Sequence, residues 1–253
     1  MNKCITIWLF GGLGNQLFQI QYGIWLKSMG YSVVFNSYLC KVNVSTNLLR
    51  WCVHEYVLEE LIADELLFDS YIEPFALISS KMKYFDFYSK FYGVTYIPLA
   101  PSRNAFGYFQ CSEFSVEAFE NGFLPHITIP KEREGWVMHL RGGDVVVDKN
   151  VISYYARAIH RVDASIVHVV TNSEELLNRI KILCPQTEFV NIGSCVISDF
   201  TSLACFENVI LGPSTFSWWA ARLGLCKNAI IPKSIQQSLG SPKKGSQFEA
   251  IFL

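Results

Sequence analysis

Hydrophobic spacing divides this chain into a regular half and an irregular one. From Trp136 onward, short apolar runs alternate with stretches of helical periodicity. The pattern predicts strands at Trp136–Leu140, Ile166–Val170, Glu188–Ile192, Asn208–Leu211 and Ala229–Ile231. Between them it predicts helices at Ser153–Val162, Glu174–Leu183, Ser198–Cys205 and Ser214–Leu223. Such alternation demands a parallel sheet with helical crossovers. At the other end, Cys4–Phe10 (CITIWLF) is β-branched and aromatic and reads as a buried strand. A glycine turn follows, then a helix over Leu17–Met29 with Leu17, Ile20, Ile24 and Leu26 toward the core, and a second strand over Tyr31–Phe35. Residues 36–130 are poorer in pattern, with acidic, aromatic helical patches at His54–Phe68 and Tyr84–Tyr92 and a loop at Pro98–Asn104.

Pro125–Gly135 holds two prolines and the alternating charges Lys131-Glu132-Arg133-Glu134, so it reads as a connection. The expectation is two α/β domains, 1–130 and 131–253. Ser238–Ser246 is rich in Gly, Ser and Lys and reads as a mobile tail.

Composition narrows the function classes. At 253 residues and 51% hydrophobic content the chain can bury a sizeable core. A formal net charge of −1 argues against a nucleic-acid partner, which wants a concentrated basic surface. Residues 131–253 hold 13 of the 21 Lys/Arg and 11 of the 22 Asp/Glu, a mildly basic half that suits an anionic ligand. The eight cysteines are scattered with no Cys-x-x-Cys pair, and several, Cys4 and Cys205 among them, lie in apolar runs. That spacing suggests neither a zinc site nor a disulfide framework and favours a reducing cytosol. The N-terminal apolar run before Gly11 is too short for a membrane span and lacks a cleavage pattern, so a soluble chain is expected.

Three stretches carry candidate chemistry. Trp136–Asp144 (WVMHLRGGD) is a strand running into His139, Arg141, two glycines and Asp144. A strand's carboxyl edge is where open α/β sheets bind ligands, and a guanidinium fork suits bidentate capture of phosphate oxygens. The bland alternative is a Gly-Gly turn with an Arg141–Asp144 ion pair. Gly212–Ala221 (GPSTFSWWAA) follows a strand and opens a helix, whose first-turn N–H groups, beside the hydroxyls of Ser214, Thr215 and Ser217, match a diphosphate. The bland version is a Ser N-cap with Trp218 and Trp219 in the core. Gly11–Gln16 (GGLGNQ) is a strand–glycine–helix junction offering backbone N–H groups to an anion, with Asn15 capping the helix in the plainer view.

These motifs resemble those of the α-1,2-fucosyltransferases. HLRGGD is similar to that family's His-x-Arg-Arg-Gly-Asp, with Gly142 in place of the second Arg; GGLGNQLFQ matches its N-terminal motif; Gly107-Tyr108-Phe109-Gln110 and Ser214–Trp219 resemble two further stretches. The resemblance implies a GT-B-like fold, two facing Rossmann-like domains with the active site in the cleft between them. It also implies an inverting, metal-independent transfer of L-fucose from GDP-L-fucose to a β-galactoside. It places donor contacts at Gly12, Gly14, Asn15, Gln16, His139, Arg141, Ser214, Thr215 and Phe216, and a guanine contact at Asp199. His139, Arg141 and Asp144 are its candidate catalytic residues. Thr171-Asn172-Ser173 stands where the family has Ser-Asp-Asp. The acceptor, by the same resemblance, is a galactoside, in one setting lipid-linked and met at the inner face of a bacterial membrane by a cytoplasmic, at most peripheral, enzyme.

Two other classes compete. A sugar-nucleotide-binding protein without transfer activity, or a transferase with another GDP-sugar, is favoured by the missing second Arg. A nicotinamide-dependent oxidoreductase needs a carboxylate about 20 residues beyond the glycine loop, and residues 33–38 (VVFNSY) supply none.

Overall fold

The computed structural model describes residues 4–37, 85–88, 104–110, 131–142, 147–243 and 248–253. The chain divides into two compact units, Met1–Ile127 and Thr128–Leu253. It is α/β in class, and every strand pairing among the described residues is parallel.

In the first unit, β1 (Cys4–Trp8), β2 (Ser32–Asn36), β3 (Phe85–Tyr88) and β4 (Asn104–Gly107) line up in the order β2-β1-β4-β3. The helix between β1 and β2, α1 (Leu13–Ser28), lays Leu17, Ile20, Ile24 and Leu26 into the core as its spacing predicts. It begins four residues earlier than the glycines suggest. Gly12 is its N-cap, in extended conformation, and Gly14 and Asn15 lie within its first turn. The predicted Asn15 cap is therefore not what starts the helix. Phe85–Tyr88, inside the patch read as helical, is a strand paired along its length with β4. Cys4 is exposed, whereas Cys205 is buried.

In the second unit, β5 (Arg133–Leu140), β6 (Ile166–Thr171), β7 (Glu188–Asn191), β8 (Phe206–Ile210), β9 (Asn228–Ile231) and β10 (Glu249–Phe252) form one sheet of order β10-β9-β8-β5-β6-β7. Helices α2 (Lys149–Val162), α3 (Glu174–Leu183), α4 (Val196–Ala204), α5 (Thr215–Leu223) and α6 (Lys233–Leu239) cross between the strands. Val137, Met138 and Leu140 of β5 and Val209 and Ile210 of β8 have no exposure, as central parallel strands covered on both faces must. Met138, Leu140, Val167 and Val169 share a core with Ile152, Tyr155 and Ile159 of α2 and Leu176, Leu177 and Ile180 of α3. The strand order is the doubly wound one, reversing between β5 and β8.

The chain near Ser238 is held rather than loose. Trp218 Nε1 donates to Gly240 O at 3.1 Å, Arg222 Nη1 to Pro242 O at 2.8 Å, and Lys243 Nζ to Gly224 O and Cys226 O at 2.6 and 3.0 Å. β10 then adds an edge strand beside β9. Residues 244–247 lie outside the described residues, as do the patch His54–Phe68 and Asp144.

Candidate active site

A reversal of strand order leaves a crevice, because the loops leaving the two central strands turn to opposite sides of the sheet. In the second unit that point lies between β5 and β8, and the two motif loops leave those strands: His139-Leu140-Arg141-Gly142 from one, Gly212-Pro213-Ser214-Thr215 from the other. Pairing of β5 with β8 ends at Met138↔Ile210, while pairing with β6 continues to Leu140↔Thr171. Beyond Met138 the strands can part.

They stay close at one spot because position 212 is glycine. A Cβ there would come within 2.7 Å of His139 O, 2.9 Å of Tyr155 Oη and 3.0 Å of His139 Nδ1. Gly212 thus brings the turn before α5 against the end of β5. Ser214 then caps α5, accepting from Phe216 N at 3.2 Å, as in the plainer of the two readings of this motif. Trp218 and Trp219 are fully buried in edge-to-face contact.

His139 is 5% exposed, and its Nδ1 is buried without a hydrogen-bond partner. Burial, with the Arg141 guanidinium adding to it, holds its pKa down at about 3. The imidazole is therefore neutral at ordinary pH and a poor general base, since efficient proton transfer needs a pKa near working pH. What it offers is a neutral ring nitrogen beside a helix N-terminus.

Arg141 is half-buried, and its backbone is fixed by side chains. Tyr155 Oη donates to His139 O at 2.9 Å and accepts from Arg141 N at 3.2 Å. Thr171 Oγ1 donates to Leu140 O at 2.8 Å, and Asn172 Oδ1 accepts from Gly142 N at 3.2 Å. One residue earlier on α2, Tyr154 Oη reaches Leu211 O and Ile230 O at 2.7 and 3.0 Å. Burial pushes both tyrosine pKa values up, so both hydroxyls stay protonated. The sequence places Tyr154 and Tyr155 at the start of a helix without assigning them a role. Adjacent aromatic hydroxyls on a helix facing strand ends were the available signal.

Of the remaining candidates, Phe216 has its ring between those of His139 and Phe200, each at 5.4 Å. Asp199 lies in the first turn of α4 and accepts from Ser194 N at 2.7 Å; burial raises its pKa, offset in part by that bond. One carboxylate oxygen is thus committed locally. In the first unit, β1 and β4 are neighbours, and motifs sit beyond their carboxyl ends too. Gln16 Nε2 donates to Gly11 O at 2.7 Å, Gln19 links Phe10 N and Gly107 O at 3.1 and 3.0 Å, and Gln110 Nε2 donates to Asn15 Oδ1 at 2.8 Å. Gln16 is fully buried, so its amide serves the turn from within.

Among the described residues there is no cluster of three or more His, Cys, Asp or Glu fit to hold a metal ion, and no helix long and apolar enough to cross a membrane.

No protein-family model matches the chain, and no curated protein matches it. Some solved structures are similar to it over most of their length. A crystal structure of POFUT1 in complex with GDP is 11% identical with a TM-score of 0.45, covering 99% of this chain and 98% of that one. The E. coli heptosyltransferase WaaC with ADP is 9% identical with a TM-score of 0.47, covering 98% and 93%. POFUT1 in complex with GDP-fucose is 8% identical with a TM-score of 0.41, covering 99% and 97%. Fold alone does not assign a function, and likeness this slight carries no chemistry across.

Proposed function

We propose that the chain is a GDP-sugar-dependent glycosyltransferase, transferring L-fucose from GDP-L-fucose to the 2-hydroxyl of a terminal β-galactoside with inversion. One observation carries the donor side of this reading. The switch point of the second sheet gathers the Arg141 loop, the capped start of α5 and the unpartnered Nδ1 of His139. A diphosphate matches that set: a fixed positive charge, orphan helix N–H groups and a neutral ring nitrogen. The fucosyl identity rests on the sequence motifs alone.

The chemistry follows from inversion. The acceptor oxygen bonds to the anomeric carbon as the bond to the diphosphate oxygen breaks on the opposite face, through an oxocarbenium-like state. Negative charge grows on the departing diphosphate, where Arg141 and the α5 N-terminus stabilise it without a metal. A base takes the acceptor proton; His139, with its low basicity, instead hydrogen-bonds the donor. A lipid-linked oligosaccharide met at a membrane surface fits the same reaction as acceptor.

The test is a screen of GDP-sugars against β-galactosyl acceptors, with the product linkage read by NMR. Transfer from GDP-fucose giving an α-1,2 product supports the reading. GDP binding without any turnover would favour a non-transferring sugar-nucleotide-binding protein, to which the single guanidinium at the β5 edge lends weight. Arg141→Ala is expected to lower kcat/KM by a factor equivalent to about 3 kcal/mol, the loss of a charge-assisted contact to developing charge. Activity is expected to persist in EDTA; a strict divalent-ion requirement would count against Arg141 and α5 as the leaving-group stabilisers.

A further inference from the structure

Four backbone groups between His139 and Gly142, where β5 runs out, are each held by a side chain. Tyr155 Oη takes Arg141 N and gives to His139 O; Thr171 Oγ1 gives to Leu140 O; Asn172 Oδ1 takes Gly142 N. The holders come from α2 and from the turn between β6 and α3. All three are uncharged, so none competes with an anionic ligand for the guanidinium. Thr171 is itself steadied, accepting from Ser173 N at 3.0 Å, and Ser173 caps α3 through Leu176 N at 3.3 Å. The turn is rigid at its base, while Asn172 at its tip is exposed.

We propose that Asn172 is a positioning residue: through Gly142 N it sets the backbone from which Arg141 meets the donor diphosphate. The proposal rests on the donor-site reading above. A carboxylate at 172 would accept the same N–H but add a negative charge close to the Arg141 backbone, where an anionic ligand is meant to bind. Geometry and charge can therefore be separated by substitution.

The experiment combines amide exchange at Gly142, followed by NMR in the free protein, with calorimetry of GDP binding. Asn172→Ala should speed Gly142 exchange, weaken GDP binding about tenfold and leave Tm unchanged, because the side chain is exposed and couples to one loop. Asn172→Asp should keep Gly142 protected yet weaken GDP binding, with the deficit shrinking as salt is added. In an Arg141→Ala background, Asn172→Ala should have no further effect on GDP affinity. Wild-type exchange at Gly142 in Asn172→Ala overturns the proposal. So does an unreduced effect of Asn172→Ala when Arg141 is absent, since Asn172 would then act on the ligand independently. If Arg141→Ala alone binds GDP as the wild type does, the donor-site reading fails, and Gly142 exchange still reports whether Asn172 holds the loop.

Discussion

Gly142 meets Ser173 so closely that any side chain at 142 would force a shift. A Cβ at 142 would lie 2.5 Å from Ser173 Cβ and 3.0 Å from its Oγ, and Ser173 is anchored as the cap of α3. The arginine that the similar motif has at this position cannot simply be placed here, and the obstacle is crowding rather than a left-handed backbone, since Gly142 is not among the positive-φ residues. We predict that Gly142→Arg lowers stability by about 1–3 kcal/mol in urea titration, the usual cost of overpacking. Adding Ser173→Gly should recover most of that loss, and only the double variant should bind GDP more tightly. His139 gives a second prediction. Its folded pKa of about 3 lies below the 6.5 of an ordinary histidine, so the unfolded chain takes up a proton that the folded chain refuses. Stability should fall as pH drops below 6.5, by about 1.4 kcal/mol per pH unit until the folded pKa is approached, and should not depend on this group above 6.5. Denaturation of the wild type and His139→Gln at pH 7, 6 and 5 should show the slope reduced in the variant. The raised pKa of Asp199 acts in the opposite direction but is common to both proteins.

At the scale of elements, helix α1 shows how much of a motif is framework. Gln19 joins the end of β1 to the end of β4 by bonding Phe10 N and Gly107 O, and it is fully buried. Gln19→Leu keeps the bulk and strands both backbone groups, so it should cost about 2–4 kcal/mol, read as a lower denaturation midpoint with unchanged m-value. A loss below 0.5 kcal/mol would mean that water replaces the amide. The same helix marks where sequence reading succeeds and stops. Its apolar stripe is legible because 3.6-residue periodicity is local; its start is not, because Gly14 and Asn15 look like turn residues and become helical only when Gln16, Gln19 and Gln110 tie the turn to distant backbone. Strand β3 was misread for a related reason: Phe85–Tyr88 is a four-residue strand defined by its pairing with β4. Composition predicts a mobile tail near Gly240, yet Trp218 and Arg222 bond its backbone and Lys243 reaches back to Gly224 O and Cys226 O, with partners 17–22 positions apart in sequence. In the second unit, by contrast, α3 falls where its periodicity places it, since Leu176, Leu177 and Ile180 alone define the buried stripe.

Across the whole molecule one arrangement occurs twice. In each parallel sheet two sequence motifs meet at the carboxyl ends of neighbouring strands, β1 and β4 in one and β5 and β8 in the other, and of the two junctions the second marks a reversal of strand order. In the first unit the pair is Gly11–Gln16 with Gly107–Gln110, bridged by Gln19 and Gln110; in the second it is the Arg141 loop with the Gly212 turn. That recurrence was legible only in part, because the motifs are local but strand order is set by long-range pairing. It also separates two roles for the motifs. The groups that suit a diphosphate, Arg141, His139 and the α5 N-terminus, all lie in Thr128–Leu253, which has its own six-stranded sheet and core. Asn15 and Gln16 lie in the other unit, with side chains engaged at least in part in holding its turn. We therefore predict that residues 128–253 expressed alone unfold cooperatively and bind GDP within about tenfold, or 1.4 kcal/mol, of the full chain, while showing no transfer. Calorimetry on the fragment and on full-length Asn15→Ala checks this. A folded fragment with no measurable GDP affinity, together with a full-length Asn15→Ala protein that has lost it too, would make the Gly11–Gln16 loop an essential donor contact and remove the division of labour argued from the fold.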